Sequence, residues 1–377
     1  MTDARVSVLV ISDYRDSLNA VRPEGEWWVE LSRHHNYRIT VMTRREGAHY
    51  LEEMEAAGVS IIDWHPESKF GKSDSQRIRT ELSGGKYDIL HLFNSKAIVA
   101  GLRAARGWPG KVVTYRGFTG NVHWWDPTAY FKHLHPRVDM ITCVSQAVKD
   151  DLDRQRFFDT SKTVVVGKGH RPEWYAEVQP ADLHDEFGIP PEHVVLIVIA
   201  NARKMKGMEY LGTAIRRLPA ELPLHLLFVG RKLETSALRA DLADSPYHDE
   251  EDFTFTGWRP DALNLLAASD ISLLPSISGE GLSKVLLESM FLGKATVMTD
   301  IGGNRGLAID GKTALVVPPR NEEAMAKAIT SLVEDEDFRS RIGAGGREYM
   351  MTHYRSVDTA KDLDAAYRQV LSAAPSK

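Results

Sequence analysis

Residues 269–293 read SDISLLPSISGEGLSKVLLESMFLG. The stretch begins with a short, fully apolar run and continues through a loop that contains Gly279 and Gly281. It then turns into an amphipathic pattern that begins near Ser283. An apolar run of this length favours a buried strand, and the later pattern favours a helix. The stretch therefore predicts one strand–loop–helix unit of a parallel sheet.

The same alternation of apolar runs and helical patterns extends along nearly the whole chain. Strands that are apolar on both faces, with helices between them, indicate parallel sheets covered on both sides. The sequence therefore predicts an α/β fold with parallel sheets. The predicted strands are VSVLVIS, YRITVMT, VSIIDW, DILHLF, KVVTYR, DMITCVS and TVVVGK in the first half, and HVVLIVIA, LHLLFVG, DFTFTG, DISLLP, ATVMTD and ALVVPP in the second.

A length of 377 residues favours two domains of similar size. Prolines and charges replace periodic apolar residues over residues 172–193, so we place the boundary there. The last segment carries an apolar stripe at helical spacing, which requires a surface to dock on. We expect a first domain of residues 1–178 plus 356–377 and a second of residues 179–355. We also expect a final helix from about Ser356 to Ala373 that crosses back to the first domain and helps to set the interdomain angle.

The composition excludes several classes of protein. With 43% hydrophobic and 26% charged residues, the chain is typical of a globular protein. A single cysteine, Cys143, excludes an internal disulfide framework. The net charge of −5 does not indicate a nucleic-acid-binding protein. The N-terminal apolar run is too short for a signal peptide or a membrane span. We expect a cytoplasmic protein, at most attached to the inner face of a membrane.

The charge distribution bears on that attachment. The first 178 residues carry 25 Lys and Arg against 23 Asp and Glu, whereas the remainder carries 22 against 29. The first domain is thus the better candidate for weak peripheral contact with an anionic membrane. An asymmetry of this size is, however, more typical of ordinary solvated surface.

Several motifs resemble phosphate-binding or metal-binding sites but occur in the wrong structural context. Residues 306–313, GLAIDGKT, match the P-loop pattern, but they run into a predicted strand instead of opening a helix. Asp pairs at 151/153, 335/337 and 362/364 lie in helical patterns and favour solvated helix faces. His133, His135 and the pair His34-His35 have no partners at metal-ligand spacing. We therefore expect no bound metal.

Two glutamates carry the strongest chemical signal. Glu280 and Glu288 are eight residues apart, about 12 Å and 2.2 turns if the helix is extended back through the loop. That is about the length of a nucleoside diphosphate sugar, and the helix N-terminus between them would favour a diphosphate. The alternative is two unrelated surface glutamates.

A second element, Arg203 to Gly207, follows the apolar run VVLIVIANA. The carboxyl end of such a strand is where ligands bind in open α/β sheets. Its alternative is an ordinary solvated turn.

At this point the chain resembles glycosyltransferase family 4, a family of retaining enzymes of the GT-B fold. The resemblance rests on Arg203…Lys206-Gly207, LLFVGRK, FTGWRPDALNLLAASDISLLPS, the segment from Glu280 to Glu288 and IGG…DGKTALVVPP. It covers nearly the whole chain and is strongest after residue 190. It implies two Rossmann-like domains whose parallel sheets face each other across a cleft.

The resemblance also implies donor-side roles. Arg203 and Lys206 would neutralise the donor diphosphate, Glu280 would contact the transferred sugar, and Glu288 would hold the ribose. We take Arg203, Lys206 and Glu280 as the catalytic candidates. The remaining donor-binding candidates supply backbone groups or side chains around these three, with the backbone near Arg259 reading the base: Gly230, Arg259, Gly281, Leu282, Ser283 and Glu288.

The acceptor side departs from the family pattern. Residues 22–26 stand where the family has a glycine-rich loop, and Arg116 stands where it often has a histidine. His123 lies seven residues later in a Trp-rich stretch. The acceptor-side candidates are Arg22, Glu24, Gly25, Arg116, His123, Lys168 and His170.

The function implied is retaining transfer of a sugar from a nucleotide diphosphate sugar to a glycan or lipid-linked acceptor. Bacterial surface polysaccharide or lipopolysaccharide assembly is the implied setting. No cofactor or metal is expected, and whether the donor is of the UDP or GDP type stays open. The alternatives are an epimerase or phosphorylase of the same fold, or a protein that binds nucleotide sugars without turnover.

Overall fold

The computed structural model describes residues 5–156 and 158–373. The chain divides into an N-terminal unit, Met1–His170 with Tyr354–Lys377, and a C-terminal unit, Arg171–His353. Residues 1–4, 157 and 374–377, which fall in the predicted first domain, lie outside the described part. The predicted limits were 178/179 and 355/356. The earlier division at 170/171 has a physical cause, because the Tyr175 ring stacks on Phe291 at 4.8 Å, within the C-terminal unit.

The N-terminal unit is built on a parallel sheet. Its described residues form seven strands in the order β3-β2-β1-β4-β5-β6-β7. The strands are β1 Val6–Ile11, β2 Tyr37–Thr43, β3 Ser60–Asp63, β4 Ile89–Leu92, β5 Lys111–Arg116, β6 Met140–Cys143 and β7 Thr163–Val165. The helices between them are α1 Leu18–His34, α2 Leu51–Ala56, α3 Lys72–Gly85, α4 Ser95–Ala104 and α5 Gln146–Asp153.

The C-terminal unit repeats this plan with a six-stranded parallel sheet over residues 171–353, in the order β10-β9-β8-β11-β12-β13. Its strands are β8 Val194–Ile199, β9 Leu224–Val229, β10 Phe253–Gly257, β11 Ile271–Leu274, β12 Ala295–Thr299 and β13 Leu315–Val317. Its helices are α6 Glu173–Ala176, α7 Leu183–Phe187, α8 Met208–Ile215, α9 Ser236–Ala243, α10 Ala262–Ala268, α11 Lys284–Phe291, α12 Glu322–Glu334 and α13 Glu336–His353.

Each of the thirteen predicted runs contains one observed strand, which confirms the predicted α/β class with two Rossmann-like units. Both sheets bury apolar side chains on both faces, as the absence of polar alternation indicated. In the C-terminal unit one core packs α8, α9 and α12 on one face, and a second core packs α7 and α10 on the other.

Most of the motifs judged misleading lie in the elements where the sequence placed them, but Asp335 lies between α12 and α13, outside either helix. Residues 310–314 form a turn in which Gly311 has φ +69°, and this turn leads into β13 instead of opening a helix. Asp151 and Asp153 lie on α5, and His34 is the last residue of α1. Over residues 5–156 and 158–373, no helix is both long and apolar enough to cross a bilayer.

The final helix, α14 Ser356–Ser372, packs on α1 in the N-terminal unit, which confirms its predicted start and its docking. Thr359 links three elements: its hydroxyl accepts hydrogen bonds from Trp27 Nε1 at 3.2 Å and from the Gly169 N–H at 3.1 Å. The Tyr367 hydroxyl lies 2.7 Å from Nδ1 of His91 on β4. Burial, with Lys168 nearby, lowers the pKa of His91 to about 3, so this imidazole is neutral.

We expect Tyr367→Phe to lower the free energy of unfolding by about 1–3 kcal/mol, because it leaves a buried imidazole nitrogen without its hydrogen-bond partner. Urea denaturation measures this change. Tyr130→Phe is the matched control, since it removes an exposed hydroxyl that donates to the Trp124 carbonyl. Equal losses in both variants would contradict a special role for the buried contact.

Candidate active site

In the C-terminal sheet the strand order reverses between β8 and β11: β9 and β10 lie on one side of this pair, and β12 and β13 lie on the other. This is the topological switch point of the sheet. Ligands of open α/β sheets bind at the carboxyl ends of the strands at such a point. Here the loops that follow the two strands lie side by side, and the Ile277 N–H donates to the Met205 carbonyl at 2.7 Å. These loops carry Lys206 and Glu280, which the sequence placed 74 residues apart.

Lys206 and Glu280 form an ion pair at this point. The Lys206 Nζ donates to Oε1 of Glu280, and the Ser276 hydroxyl donates to the same oxygen at 2.9 Å. The two side chains are 24% and 11% exposed, so the pair is shielded but open to a ligand. An ammonium has three N–H donors. The bond to Glu280 uses one and orients the others, which suits the binding of phosphate oxygens.

Gly207 allows the two loops to approach each other. It has φ +70°, and a Cβ at this position would lie 2.0 Å from the Pro275 carbonyl oxygen. That separation excludes every side chain, and the positive φ independently favours glycine. Gly207 therefore fixes the distance between the loop of Lys206 and the loop of Glu280.

Gly230, at the end of β9, makes a similar close approach. Its φ is +142°, and a Cβ would lie 1.6 Å from the Ala200 carbonyl oxygen. Its N–H donates to the Gly257 carbonyl at 2.8 Å. Three strand ends are therefore joined at this edge, and Gly230 supplies backbone contact instead of a side chain.

Ser283 caps α11, and its hydroxyl accepts a hydrogen bond from the Leu286 N–H at 3.4 Å. This confirms the predicted start of the helix. Gly281 and Leu282 precede the cap, so their backbone lies next to the positive end of the helix dipole. Glu288 lies on α11, buried, with Oε1 3.6 Å from Lys284 Nζ. Since Glu280 belongs to a loop, the 12 Å spacing of an extended helix does not describe the two carboxylates.

The remaining donor-side candidates differ in exposure. Arg203 is exposed and precedes the 3-10 turn Lys204–Lys206. The Arg259 side chain is engaged with Asp261 at 2.6 Å and with Glu186. These ion pairs hold the side chain in place, and the reading of the base by the backbone near Arg259 stays a prediction.

Sequence reasoning missed three residues around Glu280. Ser276 bonds its carboxylate, and a Cβ on Gly303 would lie 2.0 Å from its carbonyl oxygen. Asn304, next in the chain, is fully buried, and both its side-chain polar atoms have no hydrogen-bond partner among the described residues. The double glycine 302–303 was the signal for this close approach, and nothing in the sequence marked Ser276.

In the N-terminal unit, Arg116 ends β5 and is 5% exposed. One guanidinium nitrogen donates to the Gly120 carbonyl, and the group lies 3.9 Å from the centre of the Phe118 ring. Its Nε is buried without a hydrogen-bond partner among the described residues. Burial lowers the pKa of Arg116, although a guanidinium stays charged at neutral pH. Arg116 is thus a buried cation with unused donor capacity.

His123 contacts other residues than the Arg116 guanidinium does. Its ring stacks on Trp125 at 4.9 Å with an interplanar angle of 2°. Trp125 itself is 66% exposed. This pairing places His123 in a surface aromatic stack.

Residues 22–26 are not a loop, contrary to the sequence interpretation, but part of α1, with Pro23 inside the helix. Glu24 accepts hydrogen bonds from the Tyr14 hydroxyl at 3.0 Å and from Lys168 Nζ at 2.9 Å. Although burial opposes it, Glu24 raises the pKa of Lys168 to about 12. The structure therefore brings two acceptor-side candidates together as a buried ion pair.

The other acceptor-side candidates are enclosed. Arg22 is 8% exposed, and a Cβ on Gly25 would lie 2.5 Å from the Tyr50 ring. His170 is 2% exposed and forms a backbone bridge with Arg355. These positions shape the unit's interior. Over residues 5–156 and 158–373, no group of three or more His, Cys, Asp or Glu side chains has metal-binding geometry.

Two family models match the chain, one in each unit. The model described as glycosyl transferases group 1 matches residues 181–349, which contain the switch point with Lys206 and Glu280. The model described as glycosyltransferase family 4 matches residues 29–174. The division between the matches falls near the boundary of the two units.

Two curated relatives illustrate the sequence similarity. A phosphatidyl-myo-inositol mannosyltransferase of Mycolicibacterium smegmatis is 26% identical over 305 residues, 78% of this chain and 74% of the relative. The lipopolysaccharide core biosynthesis glycosyltransferase LpsE of Rhizobium meliloti is 28% identical over 186 residues, 49% of this chain and 52% of the relative. The match to LpsE thus spans about half of each chain.

Solved structures share the fold. A glycosyltransferase from Rickettsia africae aligns with a TM-score of 0.78 at 17% identity, over 98% of this chain and all of the other. HepE of Anabaena, crystallised with UDP and glucose, aligns with a TM-score of 0.75 at 16% identity, over 97% of this chain and all of the other. The two parallel-sheet units are thus of the GT-B type. The two family models, which match residues 29–174 and 181–349, show that the chain belongs to glycosyltransferase family 4.

Proposed function

We propose that the enzyme transfers a sugar from a nucleotide diphosphate sugar to a glycan or lipid-linked acceptor with retention of anomeric configuration. The observation that carries this proposal is the Lys206–Glu280 pair at the β8/β11 switch point, next to the N-terminus of α11. Lys206 and Arg203 supply positive charge for a diphosphate. Glu280 would accept hydrogen bonds from sugar hydroxyls.

The chemistry follows from the charges. When the bond between the sugar and the diphosphate breaks, negative charge develops on the leaving oxygen. Preorganised donors at such a point are typically worth about 3–4 kcal/mol each. Lys206, Arg203 and the backbone before Ser283 would supply them. Retention would come from attack on the face that the diphosphate leaves, with a leaving-group oxygen taking the acceptor's proton.

Buried Glu288, one turn from Lys284, would accept hydrogen bonds from the ribose. The setting proposed is bacterial surface polysaccharide or lipopolysaccharide assembly at the inner face of the membrane, with weak peripheral association through the N-terminal unit. The relatives in glycolipid and lipopolysaccharide synthesis support this setting.

A panel of nucleotides tests the donor site. UDP and GDP would be added separately, and a ligand at 100 times its Kd should stabilise the protein by about 2.7 kcal/mol. Turnover of the matching sugar donor, with and without an acceptor, then separates the alternatives. Conversion without an acceptor indicates an epimerase, and binding without any bond cleavage indicates a non-catalytic binder. NMR of the product's anomeric proton tests retention.

Arg116→Ala should lower the transfer rate about 10-fold or more, because a hydrogen bond to a charged group contributes about 1.5–3 kcal/mol. His123→Ala should change it little, since His123 lies in a surface stack. Initial rates at saturating donor measure both variants, and thermal unfolding checks that each is folded. The reverse pattern would assign the acceptor-side role to His123.

Activity should survive chelation of divalent metals, since Lys206 and Arg203 provide the positive charge that a metal would otherwise supply. Initial rates are measured after treatment with EDTA and after addition of magnesium or manganese. Loss with EDTA and recovery with either metal would contradict the proposed charge assignment.

A further inference from the structure

Three cations lie close together at the carboxyl edge of the N-terminal sheet. Arg116 ends β5, and Lys69 and Lys132 lie on the segments that follow β3 and β5. Burial and the charges of Lys69 and Arg116 lower the pKa of Lys132, so the three groups are near enough to act on one another. In the described part of the chain none of them forms an ion pair with a carboxylate. We call these three residues the cation cluster.

Arg116 has donors that the protein does not use. Its side chain is 5% exposed, yet among the described residues its guanidinium makes a single hydrogen bond, to the Gly120 carbonyl. The Nε atom is buried and has no partner among those residues. A guanidinium has five N–H donors, and a buried donor without a partner is costly. A carboxylate or phosphate group binds such a guanidinium through two parallel hydrogen bonds, so the arrangement points to an anionic ligand.

Exposed aromatic rings border the cation cluster. The centre of the Phe118 ring lies 3.9 Å from the guanidinium of the cluster. Phe70 and Phe131, each next in the chain to one of its lysines, meet edge to face at 5.9 Å. Trp125, 66% exposed, stacks on His123 at 4.9 Å. Such rings offer apolar faces on which the C–H face of a sugar ring can pack.

Groups that bond hydroxyls lie beside the same rings. The exposed Asp126 carboxylate accepts one hydrogen bond at each oxygen, from the N–H and the hydroxyl of Thr128, both at 2.8 Å. Each oxygen keeps a further lone pair. The Gln155 amide accepts the backbone N–H of Trp124 at 3.2 Å, and it donates one of its two N–H groups to a backbone carbonyl at 3.0 Å. Both side chains therefore retain capacity for sugar hydroxyls.

These three features together favour one class of ligand. Apolar faces and hydroxyl-bonding groups fit a saccharide, and the cation cluster requires an anion. A neutral glycan would leave the cluster without a counter-charge. A lipid surface would bring the Asp126 carboxylate against headgroup phosphates. A saccharide that carries an acidic group satisfies all three features.

We propose that the acceptor is an acidic saccharide, which binds with its carboxylate or phosphate at the cation cluster and its sugar rings on Trp125 and Phe131. Arg116 takes the anion through two N–H groups, and Lys132 adds a point charge. Asp126 and the Gln155 amide bond the sugar hydroxyls. The inference rests on the proposed transfer function and names the chemical class of its acceptor.

Binding of the full chain to an oligosaccharide array tests this class. The array carries neutral, uronate-bearing and phosphorylated glycans, and no sugar donor is added, so the result does not depend on transfer. We expect the acidic glycans to bind about 10-fold more tightly than their neutral counterparts, with a difference that narrows as salt is raised. Inorganic phosphate, titrated by calorimetry, should bind about 10-fold more weakly than a phosphorylated glycan, because it makes no ring contact.

Two kinds of variant separate the anion from the rings. Lys132→Gln should weaken the binding of acidic glycans about 5-fold and leave that of neutral glycans unchanged. Arg116→Gln should act in the same way, by about 10-fold, and Arg116→Lys should recover part of the loss because it keeps the charge. Trp125→Ser should weaken acidic and neutral glycans by the same factor, about 10-fold.

Matched controls lie elsewhere on the surface. Lys86→Gln and Lys327→Gln remove exposed cations outside the cluster, and Trp258→Ser removes a Trp that is 55% exposed in the C-terminal unit. These three should bind the array like the wild type. Thermal unfolding verifies the fold of every variant. If Arg116→Gln does not fold, Lys132→Gln still decides the role of the cluster.

Four results would overturn the proposal: no retention of acidic glycans, equal binding of neutral and acidic glycans, inorganic phosphate that binds as tightly as a phosphorylated glycan, or binding to phosphatidylglycerol vesicles with none to any glycan. Turnover of a nucleotide sugar with acidic and neutral acceptors reports on the proposed function separately. Acidic glycans that bind without any transfer would refute that function alone. Transfer confined to neutral acceptors would refute the acceptor class alone.

Discussion

Lys206→Ala is expected to lower the turnover number by about 100-fold or more, because it removes a preorganised donor from the leaving diphosphate. The same change leaves the Glu280 carboxylate, 11% exposed, without its cation. Part of the effect could therefore be a loss of stability. Initial rates at saturating donor, measured together with urea unfolding, record both quantities.

Two further variants separate charge from stability. Lys204→Ala, two residues away in the same turn, removes an exposed cation and should keep nearly wild-type turnover. The double variant Lys206→Ala/Glu280→Gln removes both charges, so it should regain stability without regaining rate. A folded Lys206→Ala enzyme with wild-type turnover would refute the diphosphate assignment.

Gly207→Ala is expected to impair stability and rate together. The new methyl group would lie 2.0 Å from the Pro275 carbonyl oxygen, so the two loops must separate. A displacement of about 1 Å in a positioned catalytic group can cost about 100-fold in rate. Donor affinity should fall as well, because Lys206 moves away from Glu280.

Gly311→Ala provides the matched control for backbone strain. Gly311 has φ +69°, almost the same as Gly207, but a Cβ there would have no atom within 4 Å. The control should lose about 1–2 kcal/mol of unfolding free energy through its left-handed conformation, with full turnover. If Gly207→Ala behaved like Gly311→Ala, the close approach would not govern the site.

Apolar patterning was sufficient to predict all thirteen strands, because the central strands of each sheet are buried on both faces and read as continuous apolar runs. It also located Lys206 and Glu280 at strand ends. The patterning could not show that Lys206 and Glu280 form an ion pair. That pair depends on β8 and β11 being neighbours in the sheet, although β9 and β10 lie between them in the chain. The hydrogen bond from the Ser276 hydroxyl to Glu280 could not be predicted from the sequence either.

Helix α1 shows where local signals mislead. Pro23 and Gly25 are typical of a loop, and the sequence interpretation placed one there. In the structure Trp27 and Trp28, both fully buried, anchor this segment as a helix, and Glu24 finds its partner in Lys168, 144 residues later. Tertiary packing overrode the local preference, which no short window of sequence could reveal.

The docking of α14 on α1 has a consequence for how the protein is made. Trp27 and Thr359, joined by a hydrogen bond, are 332 residues apart in the chain. The C-terminal unit is one continuous segment, whereas the N-terminal unit is completed only by residues that follow that segment. The N-terminal unit emerges first, yet its surface over α1 stays uncovered until the last helix leaves the exit tunnel. During synthesis this apolar face of α1 therefore stays exposed to solvent until α14 can pack on it.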